Sequence, residues 1–199
     1  MIFRRNNKGN GPVIVNEGRS LDGIDVLGFF TAEHGVGEAA RVLTSTLQAA
    51  GVSVSTIDYT DTQSRREHLF HCDNVSRNKV LMTAINADHL NAANDRLGVD
   101  FFTDRYVIGQ WFWELEELPE RYQTSFALVD EIWAPTLFIK EAIEKKSPSV
   151  VNVVHIPLPL VTPKVDCSIS REKFGLGDGF VFLFTFDFMS VLKRKNALG

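Results

Sequence analysis

The sequence is short of cysteine, of long apolar runs and of surplus positive charge, and each shortage removes a class of function. Only Cys72 and Cys167 occur in 199 residues, about half the chain apart, with no Cys-x-x-Cys pair and no Cys/His pair at metal spacing. A structural zinc site is therefore disfavoured, and a reduced, cytoplasmic protein is the simplest account. No apolar run reaches the roughly 18–20 residues that a membrane span needs. The N-terminus, MIFRRNNKGNGPVIVNEGRS, has no apolar core behind its arginines and does not read as a secretory signal. The formal net charge of -4 lacks the basic surplus expected of a general nucleic-acid binder, so no nucleic-acid partner is expected. His34, His68, His71, His89 and His155 show no ligand spacing, and no metal is expected; His155, in an apolar run, reads as a core histidine. A P-loop and a G-x-S-x-G nucleophile elbow are both absent.

What is present is an ordinary globular composition, 44% hydrophobic and 23% charged, in a chain long enough for one domain with length left over. Residues 1–20 are polar and rich in Gly and Asn, apart from Val13-Ile14-Val15, and read as a loose leader. The mostly apolar run 24–30 reads as a strand buried on both faces. Ala39, Ala40, Leu43, Leu47 and Ala50 recur at three- and four-residue steps, which predicts a helix over 37–50 stopped by Gly51. Further strands are predicted at 52–57, 79–85, 106–113, 131–134 and 150–156. Further helices are predicted at 87–97, 119–128 and 137–146, with Pro119 in the first turn of one and Thr136 capping another. Residues 60–78 are polar and read as irregular.

Strands alternating with helices at this spacing predict a doubly wound parallel α/β sheet, Rossmann-like, over 21–156. Pro157, Pro159 and Pro163 cannot continue a helix or a central strand, so 157–169 reads as a linker. A short helix at 170–174 and an apolar strand at 180–186 then read as the truncated start of a second α/β domain over 170–199.

Three stretches could carry chemistry. The first is Gly35-Val36-Gly37, followed by Glu38-Ala39-Ala40-Arg41, between the first strand and the first helix. Glycines there let backbone N–H groups approach a phosphate at a helix N-terminus. Gly35, Gly37 and Ala40 also fit the dinucleotide fingerprint in form, with Asp58 in the ribose position. Against that stand the four residues 31–34 before the first glycine, and the Glu38 charge in the first turn. A glycine loop with an acid satisfying the helix dipole remains an alternative. The second stretch is Trp111-Phe112-Trp113-Glu114 at the end of the fourth strand. Trp111 reads as core, while Trp113 and Glu114, where strand becomes loop, offer an aromatic face and a carboxylate to a sugar. The third is Arg194-Lys195, whose charges suit a diphosphate, although a short basic run is more often solvated surface.

Together these motifs resemble the GT-B glycosyltransferases of retaining family 4, above all the bacterial surface-polysaccharide branch. The resemblance rests on Gly35 to Arg41, on Ile108 to Leu115 with Pro119, on Val129 to Thr136, and on Phe186-Asp187-Phe188-x-Ser190 with Arg194-Lys195-Asn196. It runs from about residue 24 to the end. It implies two Rossmann-like domains, the N-terminal one holding a saccharide or lipid-linked acceptor and the C-terminal one a nucleotide-sugar donor. It further implies that Gly35, Val36 and Gly37 reach the donor diphosphate from the N-terminal side, and that Lys195, with Arg194 beside it, contacts it from the other. Trp113 then contacts substrate and Glu114 is the catalytic candidate, orienting the acceptor. No cofactor and no metal are implied. The paired glutamates that hold the donor in this family lie further along than this sequence reaches, so the chain alone is expected to be inactive. The resemblance leaves room for peripheral membrane association of a full-length protein and for self-association of the fragment. Two other readings stay open: an NAD(P)-binding oxidoreductase domain using Gly35, Gly37 and Asp58, and a non-catalytic interaction module.

Overall fold

The computed structural model describes residues 14–160, 162, 164–185 and 196, with the side chains of 14–19 left aside. The chain divides after residue 161 into two units, Met1–Val161 and Thr162–Gly199. The first is an α/β layer whose six strands are all parallel, as expected. They are β1 (Ile14–Gly28), β2 (Ser53–Asp58), β3 (Val75–Ala84), β4 (Tyr106–Gln110), β5 (Glu131–Ala134) and β6 (Asn152–His155). They stand in the order β2-β1-β3-β4-β5-β6. Between them run the helices α1 (Gly35–Ala49), α2 (Ala87–Leu97), α3 (Val99–Phe102) and α4 (Leu137–Glu144), and a 3-10 helix over Glu120–Leu128.

Two cores result, one on each face of the sheet. Val26, Phe30, Met82, Ala84 and Ile108 meet Ala40 and Leu43 of α1, with Phe70 and Cys72 of the 59–74 segment packed at the edge. On the other face Leu27, Leu81, Val107 and Ile132 meet Leu90 of α2, Phe101 of α3, Phe126 of the 3-10 helix and Ile143 of α4. This two-sided burial is why the strands read as apolar runs and not as alternation. The contact between α1 and the sheet is close: a Cβ on Gly28 would lie 2.7 Å from the Ala40 Cβ.

Several boundaries differ from the sequence expectation. The loose leader is not loose from Ile14 onward. Ile14 and Val15 pair with Val75 and Ser76, and register shifts on either side of Ser20 carry the strand into its central run. These irregularities let polar residues occupy an extended segment that alternation alone would not mark. β3 correspondingly starts at Val75, four residues inside the segment read as irregular. The helix read from Pro119 is 3-10, with Pro119 as its cap. α3 went unrecognised; Gly98, at φ 90, breaks the chain between α2 and this four-residue turn. His155 is half-buried on the edge strand β6, not in the core.

In the second unit, the expected helix is a 3-10 turn, Glu172–Phe174, closed by Gly175 at φ 64. Residues 180–185 form no strand and are exposed, Phe182 at 90%. An apolar run becomes a parallel strand only beside a partner strand, and none is paired with it among the described residues. Phe186, Arg194 and Lys195 lie outside the described residues. No helix among the described residues is long and apolar enough to cross a membrane.

At the amino end of the sheet sits a polar network that the sequence reading missed. The Asp25 carboxylate and the Arg105 guanidinium, both fully buried, meet at 2.6 Å. Asp25 also accepts from Ser76 Oγ (3.0 Å), from the Arg77 and Asn78 backbone N–H groups (2.9 and 3.3 Å) and from Asn78 Nδ2 (2.7 Å). Arg105 lies over the Phe101 ring, 5.3 Å from its centroid. The network ties β1, β3, α3 and the entrance to β4 together.

Candidate functional site

β1, β3 and β4 are neighbours, so their carboxyl ends fall within about two strand spacings, roughly 10 Å. From β1 the chain crosses outward to β2, and from β3 it crosses outward the other way to β4. The crevice of a doubly wound sheet opens where the direction reverses, between the carboxyl ends of β1 and β3. Two helices, α1 and α2, begin there.

Gly35, Val36 and Gly37 are the first turn of α1 and not the preceding loop. A Cβ on Gly37 would lie 2.6 Å from the Phe29 carbonyl oxygen and 2.8 Å from that of Ala32, so only glycine lets the helix start this close to β1. A Cβ on Gly35 would meet nothing within 4 Å. His34 caps the turn: its Nδ1 accepts from the Gly37 N–H at 3.1 Å, and its carbonyl accepts from the Glu38 N–H at 3.0 Å. The N–H groups of Gly35 and Val36 are left without intrahelical partners. Because Nδ1 accepts, the imidazole is neutral with its proton on Nε2. Burial first, then the charge of Arg41 and the nearness of His89, hold its pKa below the ordinary value.

The Glu38 charge, which would oppose an anion at this helix start, is balanced by Arg41. Arg41 Nε and Nη2 meet Glu38 Oε2 at 2.9 and 2.8 Å, while Nη1 donates to the carbonyls of Phe30 (2.8 Å) and Ala32 (3.1 Å). One guanidinium thus fixes the turn and screens its acid. The 59–74 segment lies along the same turn. Glu33 N–H donates to the Arg65 carbonyl (2.9 Å), His68 N–H to the Thr31 carbonyl (3.2 Å), and Arg65 pairs with Glu33. Cys72, in that segment, has its thiol pushed up to about 12, chiefly by burial, which leaves it without nucleophilic character at neutral pH.

Asp58 is committed to the fold. Its two carboxylate oxygens accept from the Thr31 N–H (3.2 Å) and the Thr31 hydroxyl (2.8 Å). The ribose role suggested by its spacing would compete with both bonds.

The turn into α2 is tied to the end of β4. Asn86 stands at the N-cap of α2 but makes no side-chain cap. Its Oδ1 accepts instead from the Phe112 N–H at 2.8 Å. The 111–114 stretch is thereby held at the same sheet edge as α1's first turn. Trp111 is core, as expected. Trp113 is half-buried, donates from Nε1 to the Glu117 carbonyl (2.8 Å) and packs edge-on against Tyr122, with centroids 5.8 Å apart. Glu114 is exposed.

Of the residues singled out in the sequence, Gly35, Val36, Gly37, Trp113 and Glu114 therefore follow β1 and β4 at one sheet edge. The supporting roles of His34, Arg41 and Asn86 were missed. A signal existed for two of them: His34 stands three residues before Gly37, the cap-to-N3 spacing, and Asn86 directly precedes an apolar-periodic helix. Compared with models of known protein families the chain matches none, and no curated protein matches it.

Proposed function

We propose that the Met1–Val161 unit is the acceptor half of a retaining glycosyltransferase of bacterial polysaccharide biosynthesis, working in the cytoplasm with a nucleotide-sugar donor and a saccharide or lipid-linked acceptor. One observation carries the reading. At the point where strand order reverses, a helix start forced close by Gly37 presents two N–H groups, and its one acid is neutralised by Arg41. That is an environment for a diphosphate. Trp113 and Glu114 follow the strand two places along, held to the same edge through Asn86.

In this reading Gly35 and Val36 donate to the donor diphosphate. Glu114 accepts from an acceptor hydroxyl and orients it. The acceptor oxygen bonds to the anomeric carbon on the face from which the nucleotide leaves. The sugar–phosphate bond breaks, and the departing phosphate oxygen takes the hydroxyl proton. The engagement of Asp58 by Thr31 weighs against the dinucleotide alternative.

The test is saturation-transfer NMR on the chain with UDP-glucose, GDP-mannose and NAD. Signals from a nucleotide sugar that weaken in Gly37→Val support the reading. A response to NAD alone overturns it. In a protein that carries both domains, Glu114→Gln should lower transfer.

A further inference from the structure

The two helices that open the crevice each carry a histidine at their start. His34 is the cap of α1, and His89 stands in the first turn of α2. Both imidazoles lie edge-on to one buried ring, that of Phe29, directly after β1. The centroids are 5.0 Å from it for His34 and 6.0 Å for His89, with interplanar angles of 72° and 87°. The turn into α1 and the first turn of α2 share a core cluster here, through Ala32, Val36 and Ala87.

Neither imidazole is used up by the fold. His34 Nδ1 accepts from the Gly37 N–H, which fixes the ring and leaves the proton on Nε2. Nε2 is not buried, and nothing among the described residues accepts from it. His34 therefore holds a donor, set by a contact and open to solvent. His89 is exposed, and Asp88 Oδ2 lies 3.9 Å from its Nε2, beyond hydrogen-bond reach.

An imidazolium is poorly placed here without a ligand. A helix start repels positive charge, and at each position the second imidazole stands across the Phe29 ring. The nearness of His89 already lowers the pKa of His34, after burial and Arg41. Arg41 is offset by Glu38, and Arg65 of the 59–74 segment by Glu33. His68 of that segment is exposed and bonds to Thr31 through its backbone alone. Tyr59, the third ring on Phe29, has its pKa pushed up to about 12, chiefly by burial, and stays neutral. An anion in the crevice reverses this balance, because it gives an imidazolium the counter-charge that the helix starts deny it.

We infer that His34 and His89 clamp the donor diphosphate between the two helix starts, His34 as a neutral Nε2–H donor and His89 as an imidazolium, so that the nucleotide sugar is held more tightly as pH falls. The inference rests on the glycosyltransferase reading and adds two binding residues and a pH response to it. Binding takes up one proton, on His89.

UDP-glucose and GDP-mannose are the probes. Neither carries a terminal phosphate that titrates near pH 6, so a pH-dependent affinity arises in the protein. For whichever probe wild type binds, affinity should rise by about threefold or more from pH 8 to pH 6.5, the upper side of the ordinary imidazole range. His89→Gln should bind more weakly at pH 6.5 and lose the rise. His34→Asn keeps a capping oxygen and removes the Nε2 donor; it should bind about tenfold more weakly at both pH values. In wild type, the imidazole NMR signals of both histidines should move on saturation with the probe. Imidazole signals that stay in place overturn the inference, whether or not a variant folds. So does wild-type affinity in either variant, or a rise with falling pH that persists in His89→Gln. If binding still weakens in Gly37→Val, these results leave the glycosyltransferase reading intact. A wild-type protein silent toward both nucleotide sugars overturns both.

Discussion

Asp25→Ala should be among the most damaging substitutions in the sheet. The carboxylate is fully buried and holds Arg105 at 2.6 Å, Ser76 Oγ, two backbone N–H groups and the Asn78 amide. Alanine leaves the Arg105 guanidinium inside the protein without its counter-charge and strips one acceptor from each of the other donors. Removing one partner of a buried ion pair costs about 3–5 kcal/mol, against a total of about 5–15 kcal/mol for a typical domain. Replacing both partners by apolar residues should be far milder, because no buried charge then remains. Urea unfolding of wild type, Asp25→Ala, Arg105→Met and the double variant at pH 7 forms the cycle. The expected coupling is at least about 2 kcal/mol, with the double variant no worse than the poorer single one. A loss under about 1 kcal/mol for Asp25→Ala would be the value of an exposed pair. That result, or strict additivity, would refute the argument that this pair acts as a buried unit.

Gly37→Ala forces a Cβ against the Phe29 and Ala32 carbonyl oxygens, and by the usual cost of overpacking should destabilise by about 1–3 kcal/mol; Gly35→Ala, which meets open space, should be neutral or slightly stabilising in the same denaturation assay. His34→Ala should cost about 1 kcal/mol as a lost N-cap. His34 also has a pH signature: its folded pKa lies below the unfolded value of 6.5, so the contribution is complete above that pH and is lost as pH falls from 6.5 through the folded pKa. Melting curves between pH 5 and 7.5 should show this slope in wild type and a weaker one in His34→Asn. The exposed Phe180 and Phe182 should drive self-association; light scattering should show less of it after Phe180→Ser with Phe182→Ser, and equal association in both proteins would exclude this patch as the contact.

Periodic local signals were legible without a structure. α2 at 87–97 and β5 at 131–134 fall where their apolar spacing and flanking turn residues put them. Thr136 caps α4 as its position suggested, accepting from the Ile139 N–H at 3.2 Å. The glycine turn was legible as a candidate site because Gly-x-Gly before a helix is a local pattern. What escaped depends on residues far apart in the chain. Nothing near Ile14 says that β3 will be there to pair with it, and nothing near Arg105 says that Asp25 waits beneath it. The apolar pattern at 180–186 erred in the opposite sense, since propensity supplied a strand but no neighbour supplied the hydrogen bonds. At the site the same division holds: Gly35 to Gly37 are readable, whereas Asn86 spends its oxygen on Phe112, 26 positions away, and so reads locally as an ordinary cap.

The separation of Asp25 from Arg105 also sets a schedule for synthesis. The two residues are 80 positions apart, and a ribosome adding about 5–20 residues per second needs roughly 4–16 s to make the intervening chain. Through that interval the apolar strand around Asp25 has neither its β3 neighbour for much of the time nor its counter-ion for any of it. Parallel pairing offers no hairpin to hold the strand meanwhile. The nascent chain must therefore be kept from other exposed strands until Arg105 arrives, and chaperone dependence should fall on this window more than on the later addition of β5 and β6.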